Sequence, residues 1–203
     1  MLTDPLVLIL LYFIIPLWLV AGFADWVCHR VTHIDRTSGP QESIFHLLQF
    51  CQVGIALLSG LFLEINAGVI AFIIIMFLVH EATAFWDLNY AVDKRKITPI
   101  EQIVHSFLEM IPLMAIVCVS ALHWGQFIAL FGFGEEKAQF LWSWKNPQLP
   151  VAYFILLLVS VLLFAVIPYC EELVRCLNAR YGWSRPYLRQ DKDENESNAA
   201  DRF

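Results

Sequence analysis

The sequence predicts an all-α integral membrane protein with five transmembrane helices, of which the first four form an antiparallel bundle around a polar histidine and carboxylate cluster. Composition is the first reason. The chain of 203 residues is 59% hydrophobic and 16% charged, with a mean hydropathy of +0.62, whereas soluble domains run nearer half apolar and a quarter charged. Distribution is the second reason: residues 5–24, 44–63, 67–79, 110–134 and 151–170 contain no Asp, Glu, Lys or Arg. A bilayer core of about 30 Å needs about 20 apolar helical residues. Each blank supplies or approaches that length, the third once it is extended through residue 85. The expected spans are therefore about 5–24, 44–63, 67–85, 107–133 and 151–170, within one domain over 1–188. The polar segment 189–203 is too poor in apolar residues to fold alone and is expected to be disordered.

Met1 to Asp4 lacks Lys and Arg and no Ala-x-Ala site follows, so the first span is expected to stay in the mature protein. Helix one should continue past the membrane until Thr37-Ser38-Gly39-Pro40 breaks it, and Pro40 with Glu42 reads as the next helix start. Asn66-Ala67-Gly68 is a minimal turn, so helices two and three form a hairpin. Helix three runs on to about Asp93. Thr98-Pro99-Ile100-Glu101 then supplies an N-cap, a first-turn proline and a first-turn acid for helix four. Residues 134–150, with Phe140, Trp142 and Trp144, read as an interfacial stretch. Residues 171–181 extend helix five as a basic amphipathic segment.

In this arrangement residues 25–43, 86–102 and 171–203 share one side, side A. Eleven of the 13 basic residues fall there and only Lys137 and Lys145 on side B. The positive-inside rule then makes side A cytoplasmic, with the amino terminus periplasmic and the carboxyl terminus cytoplasmic. Cys28, Cys51, Cys118, Cys170 and Cys176 form no C-x-x-C pair and read as apolar fillers.

The chemistry is concentrated on side A. Asp25, His29 and His33 lie on helix one, Glu42 and His46 on helix two, His80, Glu81 and Asp87 on helix three, and Glu101, His105 and Glu109 on helix four. Residues four apart share a helix face, and Asp25-x3-His29-x3-His33, Glu42-x3-His46 and Glu101-x3-His105-x3-Glu109 follow that spacing. Asp25, His46, His80 and Glu109 should form the deepest layer, with His29, Glu42 and His105 a turn shallower. His33, Asp87 and Glu101 should line the mouth. Ionisable groups at such depth cost about 3 kcal/mol each unless they face inward and find partners.

Divalent ions satisfy that demand, because imidazoles and carboxylates are the mixed ligands of iron, manganese and zinc. Asp25, His29, Glu42, His46, His80, Glu101, His105 and Glu109 are the candidate ligands. His33, Glu81 and Asp87 are candidates to support them. The x3 spacing departs from the Glu-x-x-His of soluble four-helix di-iron proteins. A metal-free hydrogen-bonded network is the bland alternative, with Arg30 or Arg95 neutralising some acids. His123 reads as structural and Glu64 as a boundary residue.

The strings Asp25-Trp26-Val27-Cys28-His29-Arg30, 37–46, His80-Glu81-Ala82-Thr83-Ala84-Phe85-Trp86-Asp87, Pro99-Ile100-Glu101-Gln102 and His105-Ser106-Phe107-Leu108-Glu109 resemble a family of small bacterial inner-membrane proteins over roughly residues 20–175. The resemblance implies a multi-pass inner-membrane location and no particular chemistry. Members are sometimes labelled diguanylate cyclases, but this chain has no GG-[DE]-E-F signature.

Three functions are expected in order. The first is a membrane-embedded enzyme with two irons that hydroxylates or desaturates a lipid-like substrate with O2 and an unidentified electron donor. The second is a zinc-dependent membrane hydrolase, and the third a non-enzymatic haem or metal-binding membrane protein. With no nucleic-acid motif, phosphate loop or G-x-S-x-G elbow, the expected partner is membrane lipid rather than nucleic acid.

Overall fold

The computed structural model describes residues 4–182, and the tail expected to be disordered lies outside the described residues. Five helices are long and apolar enough to cross a membrane: α1 (Pro5–Val31), α2 (Pro40–Phe62), α3 (Ala67–Val92), α4 (Pro99–Leu122) and α6 (Val151–Tyr181). A short α5 (Trp124–Ala129) follows α4. Their outward faces carry exposed Val20, Ile55, Ile75, Val117 and Leu158, the pattern of a surface solvated by lipid.

Local chemistry sets the ends. Asn66 Oδ1 accepts from the Gly68 and Val69 amides at 3.0 and 3.2 Å and caps α3. Thr98 and Glu101 form a reciprocal capping box at the start of α4. Two π-helical turns, Leu10–Ile14 and Leu162–Val166, stand just before Pro16 and Pro168. A widened turn accommodates a ring that cannot donate and that crowds the preceding carbonyls.

Two helices stop earlier than their composition suggests. α1 ends at Val31 rather than running to the Gly39-Pro40 break. Thr32 Oγ1 donates to the Cys28 carbonyl at 2.9 Å, His33 takes a left-handed φ of 53°, and a 3-10 turn, Ile34–Arg36, tucks Ile34 completely out of contact with solvent. The expected fourth span, 107–133, is interrupted at His123. Past that break Gln126 accepts from the Ala67 and Gln139 amides at 3.2 and 3.0 Å, so the turn serves to tie the start of α3 to the side-B loop.

That loop closes side B. Lys145 donates from its amide to the Phe62 carbonyl at 2.8 Å and from Nζ to the Gly60 carbonyl at 2.7 Å. Glu64 is more than a boundary residue, since its carboxylate accepts from the Asn146 amide at 2.6 Å.

The fifth span is not peripheral to a four-helix bundle. Ile14, Trp18, Leu19 and Ala21 of α1 pack with Ile111 of α4 and with Ala165 and Tyr169 of α6 in one buried core. Tyr169 Oη donates to the Gly22 carbonyl at 3.3 Å, and a Cβ on residue 22 would meet that hydroxyl at 3.3 Å, a tight contact. This packing brings α6 against α1 and α2 on side A.

Asn66→Ala should lower stability by about 1 kcal/mol through loss of the cap, and further through loss of the Asn66 Nδ2 bond to the Leu141 carbonyl, 2.6 Å long. Thermal unfolding in detergent should rank wild type above Asn66→Asp, which keeps only the capping acceptor, and Asn66→Asp above Asn66→Ala.

Candidate metal centre

Five helices contribute to one buried polar cluster. Asp25 and His29 stand a turn apart on α1, as do Glu42 and His46 on α2. Asp87 comes from α3, Glu101 and His105 from α4, and Glu172 from α6. All of these except His105 are buried below a tenth of their surface. At the centre the His29 and His46 rings stack, with centroids 4.3 Å apart and planes 12° from parallel.

Glu172 organises that stack. Its Oε2 lies 3.0 Å from His29 Nδ1 and its Oε1 lies 2.8 Å from His46 Nδ1. An ionised carboxylate can only accept, so both Nδ1 atoms carry the proton, and in neutral rings both Nε2 atoms hold a free lone pair. Those lone pairs face acids. His29 Nε2 is 3.3 Å from Asp25 Oδ1 and 3.4 Å from Glu101 Oε1. His46 Nε2 is 3.2 Å from Asp87 Oδ2 and 3.9 Å from Glu42 Oε1. Neither Nε2 has a hydrogen-bond partner. His105 Nε2 joins from α4 at 2.9 Å from Asp25 Oδ1.

Arg95, in the α3–α4 connection, closes side A. Its Nε donates to Glu42 Oε1 and Oε2 at 3.1 and 3.2 Å, and its Nη1 to Glu101 Oε2 at 3.0 Å. Burial opposes the guanidinium charge, but its hydrogen bonds to Glu42 and Glu101 outweigh that and hold Arg95 above its ordinary pKa. Glu101 thus has two hydrogen-bond partners, since its side chain also accepts from the Thr98 amide at 3.4 Å.

The structure gathers Asp25, His29 and His105 into one set of possible ligands, and His29, Glu42 and His46 into another, each with donor atoms within 4.8 Å of one another. These buried groups could hold a metal ion. His29 belongs to both sets. Asp87 and Glu101, expected at an open mouth, are buried instead, because Arg95 folds over Glu101 and Gln49 Nε2 donates to Asp87 Oδ2 at 2.9 Å. His80 is buried with both ring nitrogens unpartnered. It lines a small cavity beside Asp25 and His46, and Glu109, half-buried, lines the adjoining one.

Two expected supporting residues are not brought in. His33 is exposed beyond the end of α1, where the left-handed turn carries it away from the helix face of His29. Glu81 is half-buried and, among the described residues, forms no hydrogen bond or ion pair with a histidine, its Oε1 being unpartnered. His123 stands at the opposite end of the bundle, where burial and Lys145 push its pKa down.

Sequence reasoning missed Glu172. Its signal was the stripe Ala165, Tyr169, Glu172 and Cys176, spaced four, three and four, all buried. An acid within an apolar stripe faces the interior, whereas its neighbour Glu171 faces out to Arg30, 2.7 Å away. Comparison of the chain with protein-family models, with curated proteins and with solved structures finds no match.

Arg95→Met should cost about 3–5 kcal/mol, because it leaves Glu42 and Glu101 buried without their cation. Arg30→Met, at a half-exposed pair, should cost less than about 1 kcal/mol. Denaturation midpoints of the two variants in the same detergent check the contrast.

Proposed function

We propose that this cluster is a dinuclear metal centre, with iron as the resident ion, in an enzyme that hydroxylates or desaturates a lipid-like substrate with O2. The observation that carries the reading is the Glu172 bridge, which turns two imidazole lone pairs toward four carboxylates. Carboxylates that orient metal-bound histidines through the far ring nitrogen are a recurrent arrangement.

Distance and charge both support it. Charge-assisted N–H···O bonds are about 2.7–2.9 Å long, whereas donors about 2.1 Å from one ion stand about 3.0–3.4 Å from each other. Three Nε2 to carboxylate separations, 3.2, 3.3 and 3.4 Å, fall in the second range, whereas His105 to Asp25 at 2.9 Å has hydrogen-bond length and His46 to Glu42 at 3.9 Å would have to shorten around an ion. Asp25, Glu42, Asp87, Glu101 and Glu172 are all buried, and Arg95 offsets only one of their charges. With neutral imidazoles, as ligation requires, two divalent ions cancel the remaining four.

In this reading Asp25, His29 and His105 would hold one ion and Glu42 and His46 the other, with Asp87 or Glu101 completing the sets. Two irons held there would supply the paired electrons that O2 cleavage needs, with two electrons per turnover returned by an external donor. The chain does the rest. Glu172 fixes the plane of two ligands, and Arg95 holds Glu42 and Glu101 in register. Trp18, Phe50 and Tyr169 surround the small cavity and limit water there. His80, unpaired at its wall, is placed to exchange a proton with an occupant. The bundle would lie in a bacterial inner membrane with side A cytoplasmic.

A zinc hydrolase is the second reading, favoured by the Asp25, His29 and His105 set, since two imidazoles and a carboxylate also hold catalytic zinc. Haem is poorly accommodated. The His29 and His46 rings lie flat on each other at 4.3 Å, which leaves no room for a macrocycle between them.

Metal analysis by mass spectrometry of detergent-purified protein tests the proposal. Two irons per chain are expected; one zinc and no iron would end the di-iron proposal, and turnover independent of any redox partner would then support the second reading. His46→Ala and His105→Ala should abolish binding and His123→Ala should not. Glu172→Gln should weaken metal affinity by about 10–100-fold.

A further inference from the structure

A cavity of about 670 Å³ runs between α1, α2, α3 and α4, away from the cluster. That volume lies within the range of small-molecule sites, about 300–1,000 Å³. Its walls are Leu, Ile, Val and aromatic side chains over most of its length. The charged residues on it, Asp4, Glu64 and Lys145, with His123, all lie at the side-B end. At the other end Trp18 and Val53 belong both to this cavity and to the small one lined by Asp25, His46 and His80. From Gly60, where Lys145 is anchored, to His46 is fourteen residues of α2, or about 21 Å.

The polar end has a defined character. Lys145 Nζ donates to the Gly60 carbonyl at 2.7 Å and forms no ion pair among the described residues. Glu64 accepts the Asn146 amide. Burial pushes the Lys145 ammonium down from its ordinary pKa, with Glu64 opposing. Asp4 and Glu64 are engaged by the Leu6 and Asn146 amides, which leaves the half-buried Lys145 ammonium, with free N–H groups at the head of an apolar channel, to complement an anion attached to an alkyl chain.

We propose that this cavity binds a single-chain amphiphile with its anionic headgroup at Lys145 on side B and its alkyl chain directed past Leu57 and Ala115 toward Trp18. The chain end then stops at the wall of the chamber containing Asp25, His46 and His80. A long chain attached to a carboxylate or to a phosphate meets that description. Its role as the enzyme's substrate rests on the dinuclear reading, but its binding does not. The substrate would enter from the face opposite the cluster.

The test uses full-length protein in nanodiscs of uncharged phosphatidylcholine, with radiolabelled palmitate, 1-palmitoyl lysophosphatidate and hexadecanol as probes. At least one anionic probe should bind saturably, one per chain, and hexadecanol about tenfold more weakly, the worth of one charge-assisted hydrogen bond. Binding of palmitate alone identifies a carboxylate head, and of lysophosphatidate alone a phosphate head. Lys145→Gln should reduce the anionic probe to the level of hexadecanol. Ala115→Trp, which fills the channel, should abolish saturable binding, whereas Leu158→Trp on the lipid-facing side of α6 should leave it intact. Equal affinity for hexadecanol, or non-saturable uptake unaffected by Ala115→Trp, overturns the proposal. Each measurement is made on chelator-treated and on metal-loaded protein. Saturable binding without metal uptake would sink the dinuclear centre and leave the cavity standing; two ions bound without amphiphile binding would do the reverse.

Discussion

Five carboxylates share a buried space with one guanidinium, and most of what is distinctive on side A follows from managing that charge. Glu172 bridges the Nδ1 edges of the stacked His29 and His46 rings and accepts from both. Arg95 clamps Glu42 and Glu101 from the loop. Each arrangement satisfies some acids and leaves others facing bare imidazole nitrogens. Removing charged groups from water is expensive unless counter-charge and hydrogen bonds are complete, and here they are complete only on the outer edge. The inner edge, at His29 Nε2, His46 Nε2 and Asp87 Oδ1, is unpaired.

The fold supports that centre by division of labour. Apolar contacts among Ile14, Trp18, Ile111, Ala165 and Tyr169 lock α1, α4 and α6 into one relative placement, so side chains from separate helices meet at a common depth. Side B is tied by backbone and amide hydrogen bonds through Asn66, Gln126 and Lys145 and contributes nothing to the cluster. Between the two ends the helices stand apart around an apolar channel. One end of the bundle is therefore charged and packed, the other is stapled, and the middle has room for an alkyl chain.

Much of this was legible in the residues. Charge-free stretches located five spans, and x3 spacing placed Asp25 with His29 and Glu42 with His46 on shared faces, because helical periodicity is a local property. Depth was less legible. Glu101 reads as a first-turn acid near water, yet it is buried because Arg95, six residues earlier, folds back over it. His33 continues the periodicity of Asp25 and His29, but a left-handed residue ends that face. Glu172 escaped notice because its partners lie more than a hundred residues away on other helices, and only its place in an apolar stripe marked it as interior. Arg95 was recognisable as a possible neutraliser, but its simultaneous grip on Glu42 and Glu101 is a tertiary fact.

The central claim is that the unprotonated Nε2 atoms of His29 and His46 point at bound ions. X-ray absorption at the iron edge of reconstituted protein addresses it directly. The account predicts a shell of nitrogen and oxygen donors at about 2.0–2.2 Å with the outer-shell scattering of imidazole rings, weakened when His29 or His46 is replaced by Ala. A sulfur shell at about 2.3 Å, or iron without imidazole scattering, would contradict it.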